Sequence, residues 1–169
     1  MKSSISIFSQ SVFPVRTGEI GDTDQAVVKL REIKIPFDEC INSMNFPFKS
    51  DGILREEDLV LVNPKRFFNE EDGLKALSES GLLPPTLEHT LCFVKQYATT
   101  MVSDEKPLII FLHKPWKGPY RRFVLFLNRS VTNGPFLGLL ELGDRFGSDY
   151  ILIGVRPDKK TKKEVLFIG

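Results

Sequence analysis

Two short segments of this chain are apolar at every position. Leu108-Ile109-Ile110-Phe111-Leu112 and Phe123-Val124-Leu125-Phe126-Leu127 each run five residues without a polar side chain. A membrane-spanning helix needs about 20 such residues, and a half-exposed strand alternates polar with apolar. Five in a row between polar connectors fits a strand buried on both faces. A fold built on this pair must place both strands centrally and cover the sheet twice.

The strand pattern continues on either side of the pair. Strands are expected at 107–112, 122–128, 136–142, 149–156 and 164–168, with connectors of about 6 to 9 residues rich in Gly, Pro, Asn and Asp. Connectors that short favour antiparallel neighbours, because parallel pairing needs a longer crossover. The expectation is an antiparallel sheet of about five strands, mainly a meander.

Two helices precede it. Asn69 can cap a helix whose first turn, Glu70-Glu71-Asp72, sets three carboxylates at the positive end of the dipole. Leu74 and Leu77 are expected to face inward, and Gly81 suits the position after the helix. Thr86 follows Pro84-Pro85 and can cap a second helix with the stripe Leu87, Leu91, Val94, Ala98, Met101.

The N-terminal portion is more mixed. A short strand is expected within 5–13, and a strand bulged near Arg31 over 27–35, ended by Pro36. A short helix is expected from Asp38, and a buried strand at 59–62. Glu56-Glu57-Asp58 reads as a solvated loop. The fold class expected is a single α+β domain over 1–169. In it an N-terminal strand and loop segment (1–68) covers one face of the C-terminal sheet (107–169), and the helical pair (69–102) covers the other.

Net charge is +1, which excludes a wholly polycationic or acidic disordered chain. The total hides a division. Residues 1–106 hold 12 Lys and Arg against 17 Asp and Glu, net −5, and residues 107–169 hold 11 against 5, net +6. The positive half therefore calls for nucleic acid or an acidic protein surface as partner.

The connector between the two apolar strands concentrates the chemistry. His113-Lys114-Pro115-Trp116-Lys117-Gly118-Pro119-Tyr120-Arg121-Arg122 carries the only Trp, one of the two His and four cations, stiffened by two prolines. Aromatic rings interleaved with cations suit single-stranded nucleic acid, where bases stack on rings and cations neutralise phosphates. Alternation of turns between sheet ends brings Arg145 to the same end. The expected binding set is Lys114, Trp116, Lys117, Tyr120, Arg121 and Arg145. The opposite end would hold a second basic cluster of Arg129, Lys159, Lys160, Lys162 and Lys163. His113 beside cations could instead act as acid and base on a phosphodiester, with Lys114, Tyr120 and Arg121 around the phosphate.

Other chemistry is sparse. His89 and Cys92 stand at helical spacing but flank a packing stripe. Cys40 and Cys92 are read as free, buried thiols. There is no P-loop, GxGxxG or GxSxG pattern, and two His with two Cys far apart do not make a zinc site. No cofactor, metal or membrane partner is expected, and the expected compartment is the cytoplasm.

Over residues 70–169, the order of two helices followed by an antiparallel sheet with basic loops resembles that of small ribonuclease toxins of the RelE or barnase-like kind. The resemblance lies in element order rather than in any motif. It implies a metal-independent ribonuclease. Against that stand two other readings: a non-enzymatic protein whose basic sheet loops bind nucleic acid or an acidic partner, and a protein-only inhibitor, immunity or adaptor protein. The non-enzymatic binding reading is preferred.

Overall fold

The computed structural model describes residues 12–99, 108–130, 134–143 and 145–157. In chain order these form β1 (Val12–Thr17), α1 (Thr23–Glu32), β2 (Arg55–Val62), α2 (Glu70–Glu79), α3 (Leu87–Tyr97), β3 (Ile109–Ile110), β4 (Trp116–Lys117), β5 (Arg122–Ser130), β6 (Gly134–Glu141) and β7 (Ile151–Val155). The architecture is α+β, as the sequence indicates. The expected strand at 164–168 lies outside the described residues.

All seven strands join in one sheet. The order runs β1-β2-β7-β3-β5; β4 pairs with β5 on the same side as β3, and β6 pairs with β5 on the other. Every pairing is antiparallel except β3 with β7. The sheet is therefore not a meander. β5 and β6 form the expected hairpin, but β7 leaves β6 and inserts between β2 and β3. The connector between them does not turn back as a hairpin. It crosses the sheet face, where Phe146 exchanges backbone hydrogen bonds with Phe68 at 2.7 and 3.2 Å. The outer edge of β6 meets the chain at residues 36–38, with Leu137 N–H donating to Pro36 and Asp38 N–H to Leu137.

β7 takes the central place because all five of its residues are buried. It is a third doubly apolar strand, and its burial needs neighbours on both sides. Gly154 lets α2 approach it: a Cβ there would lie 2.8 Å from Leu82 Cβ and 2.9 Å from Leu77 Cδ2.

The N-terminal portion enters the sheet through two strands, and the rest of it also covers one face, with Ile35, Ile41 and Phe46 buried there. β1 and β2 pair in register from Val12↔Val60 to Thr17↔Arg55. Strand β2 begins at Arg55, so Glu56-Glu57-Asp58 belongs to a strand and not to a solvated loop. The exposed edge of β1 is closed by side chains of α3. Gln96 accepts from Arg16 N–H and donates to its carbonyl, and the Tyr97 hydroxyl donates to Pro14 O. An edge occupied this way offers no template for another strand.

Alternation along the central strands divides the core in two. Ile109, Phe111, Leu125, Leu127, Ile151 and Ile153 face α1, α3 and the buried Ile35, Ile41 and Phe46. Ile110, Leu112, Val124 and Leu152 face Leu77, Leu82, Phe68 and Phe146. The helical pair therefore does not cover a single face, since α2 and α3 lie on opposite sides.

α1 replaces the expected bulged strand at 27–35. Asp22 caps it by accepting Gln25 N–H at 2.9 Å. Thr23, Ala26, Val27 and Leu30 form its buried stripe, a helical spacing obscured by a run of β-branched residues. Lys34, at φ 61°, ends it. No helix follows Asp38; its carboxylate instead accepts Cys40 N–H at 2.8 Å in a turn. The caps at Asn69 and Thr86 are as expected. Leu77 is buried, but Leu74 is exposed, pointing away from the core. Met101 lies outside the described residues.

Candidate functional site

The basic connector folds as a hairpin. Trp116 pairs with Phe123 and Lys117 with Arg122, and Gly118 N–H donates to Arg121 O at 2.8 Å. Gly118-Pro119-Tyr120-Arg121 is the turn, with Pro119 fixing φ at the second position, where turns favour proline. Tyr120 stands at the tip, 97% exposed.

Trp116 does not share that exposure. It is half-buried, its ring 5.6 Å from both Phe46 and Phe123. The pair of stacking rings expected from the sequence is therefore reduced to one.

His113 is buried, at 3% exposure, and both ring nitrogens are taken. Nε2 lies 3.0 Å from Leu125 N and accepts its N–H, and Nδ1 then donates to Lys114 O at 2.8 Å. The chain leaves the sheet between β3 and β4, which opens a gap in the ladder along β5. The imidazole fills that gap in place of a backbone carbonyl. Burial pushes its pKa down to about 4, partly offset by the bond to Lys114 O. It is neutral at pH 7, and neither nitrogen points to an open surface.

The cations around the turn are partly neutralised. Arg121 pairs with Glu141 at 3.0 Å and Arg122 with Glu70 at 2.7 Å. Lys117, Tyr120, Arg121 and Glu141 line a shallow basin of about 390 Å³. A second basin of about 400 Å³ adjoins it at Leu142 and Gly143 and is lined by Glu70, Glu71 and Arg145. Arg145 thus comes to the same end of the sheet as the turn, as expected, with carboxylates interspersed. Arg129 lies at the far end of the β5–β6 hairpin, opposite Pro135. Lys159, Lys160, Lys162 and Lys163 are outside the described residues.

Lys114 is separated from this set. With Pro115 it lines a different groove of about 480 Å³, formed with Phe46, Phe48, Lys49 and the start of α3 at Thr86 and Leu87. Three segments remote in sequence build it, and no local motif could announce it.

Of the remaining reactive groups, Cys92 and His89 are structural. Burial pushes the Cys92 thiol up to about 12, so no thiolate is present near neutral pH. His89 Nδ1 accepts Thr86 N–H at 3.0 Å, which places its proton on Nε2, donating to Glu57 at 2.7 Å. Thr17 also donates to Glu57, and Glu88 accepts Gly18 N–H at 3.0 Å. These contacts tie the start of α3 to β1 and β2. Cys40 is exposed rather than buried, and both cysteines are free. No cluster of three metal-ligating side chains occurs among the described residues, and no helix among them is long and apolar enough to cross a membrane.

Compared with protein-family models, curated proteins and solved structures, the chain matches none.

Proposed function

We propose that this chain is a non-enzymatic binding protein that docks the turn at 118–121 onto an acidic surface of a partner protein. The observation that carries the reading is Tyr120, almost wholly exposed at the tip of a proline-constrained turn and flanked by Lys117 and Arg121. Tyr and Arg are the side chains that most often anchor protein interfaces, and a turn already fixed loses little entropy on docking.

Two features favour a protein surface over nucleic acid. A single exposed ring is a poor platform for successive bases. Glu141 and Glu70 already pair with Arg121 and Arg122, so the turn lacks the continuous run of free cations that tracks a phosphate backbone, whereas a protein partner needs only a few acidic side chains placed against it. Catalysis through His113 is not favoured, because both its nitrogens are held by backbone.

Fluorescence anisotropy tests the reading with two labelled probes, an aspartate- and glutamate-rich peptide and an oligouridylate of equal charge. The peptide should bind the wild-type chain, and Tyr120→Ala and Lys117→Glu should each weaken it at least about tenfold. Stronger binding of the RNA would move the function to nucleic acid. Failure of the peptide to bind, or binding indifferent to both substitutions, would overturn the proposal.

A further inference from the structure

We propose that the groove between the 45–49 loop, the start of α3 and Lys114-Pro115 binds a small organic anion with a flat apolar body. This site is separate from the turn at 118–121 and does not depend on its role.

Size and lining come first. About 480 Å³ lies within the range of small-molecule sites. Phe46, Phe48, Leu87 and Pro115 give it apolar walls, and Lys49 and Lys114 stand on two different walls. Both lysines are exposed, and neither pairs with a carboxylate among the described residues. Glu88 also lines the groove, but its carboxylate accepts the Gly18 N–H. Two lysines without a carboxylate partner, against the one carboxylate of Glu88, leave the apolar groove net positive and complementary to an anion carried on a flat aromatic body.

Each wall is also held from behind. The fully buried Thr23 hydroxyl donates to Phe46 O and accepts Phe48 N–H at 3.2 Å, which pins the loop to α1. Phe46 packs edge-on against His113 at 6.0 Å and against Trp116. His113 holds the Lys114 carbonyl, and the capping box at Thr86 fixes the start of α3. A groove built from three anchored segments is preformed, so a ligand pays little to order it.

The probe is 1-anilinonaphthalene-8-sulfonate, an aryl sulfonate whose emission rises in apolar sites, titrated into the folded chain. One molecule should bind per chain and quench Trp116 by energy transfer. Lys49→Glu and Lys114→Glu should each weaken binding at least about tenfold, while Lys117→Glu, outside the groove, leaves it unchanged. Naphthoate and naphthyl phosphate should displace the probe, their relative strength identifying the preferred anion, and uncharged naphthyl methanol should do so far less well. The proposal is overturned if binding does not saturate, if the neutral competitor is as good, or if both charge reversals bind like wild type. Circular dichroism of each variant establishes that a loss is not unfolding. Because Lys117 belongs only to the docking turn, loss of peptide binding and loss of probe binding fail independently.

Discussion

His113 shows how far one side chain's role depends on its surroundings. In the connector it stands beside Lys114 and near three further cations, which suggests phosphate chemistry. In the fold it is a ladder element, bonded to Leu125 N–H and Lys114 O. Replacing it with Leu leaves both backbone groups unpaired, at about 1–3 kcal/mol for each buried group. Chemical denaturation of His113→Leu is therefore expected to show a loss of about 2–4 kcal/mol at pH 7. The pH dependence has a definite sign. The unfolded imidazole titrates near its ordinary 6.5 and the buried one near 4, so between these values the unfolded chain binds the extra proton. The contribution is complete above 6.5 and is lost as pH falls toward 4, by up to about 3 kcal/mol. Urea titrations at several pH values check this, and the His113→Leu variant should lack that part of the slope. Trp116 and Tyr120 were equally legible as aromatic residues in a basic loop. Which of them faces solvent was not, because it depends on Phe46, 70 positions away from Trp116 in the chain.

At the scale of elements, punctuation proved more reliable than periodicity. Asn69 and Thr86 mark helix starts because capping is local chemistry between residues three apart. Helix α1 was hidden because Val27, Val28, Ile33 and Ile35 suggest a strand, whereas the cap at Asp22 and the buried stripe through Leu30 decide for a helix. The two capping boxes should differ in weight. Asn69→Ala is expected to cost about 1 kcal/mol, the usual loss of an exposed cap. Thr86→Ala should cost more, about 2 kcal/mol, because Thr86 also positions His89, whose other nitrogen reaches Glu57. Thermal or urea unfolding of the two variants measures the difference, and equal losses would mean that the Glu57 link adds nothing. The starts of α2 and α3 and the β5–β6 hairpin were readable for the same local reason. The placement of β7 was not, since no residue near it specifies which strands will flank it.

Across the whole molecule the charge division takes on a different meaning. Arg122 from the positive half pairs with Glu70 from the negative half, and Arg156 pairs with Asp58 at 3.4 Å. At these two pairs, among the described residues, charges of the two halves meet across the fold. β2 and β3 are joined in the sheet through β7, so each half of the chain lacks strands the other supplies. Residues 1–106 and 107–169 expressed separately should each fail to give a cooperative unfolding transition, and mixing them should restore one. A cooperative transition in either piece alone would show that a half carries its own core.

By itself the sequence determined the α+β class, the helix caps at Asn69 and Thr86, the two doubly apolar strands at 108–112 and 123–127 and the connector that carries Tyr120. All of these follow from interactions within a few residues of one another. Tertiary structure alone decided that β7 sits at the centre of the sheet, that α2 and α3 lie on opposite faces, that His113 is a structural group, and that Lys49 and Lys114 share a groove. Each of these is a contact between residues far apart in the chain. The physical reason is that hydrophobic burial is non-directional: an apolar strand must find cover, but its own residues do not say which partner will provide it.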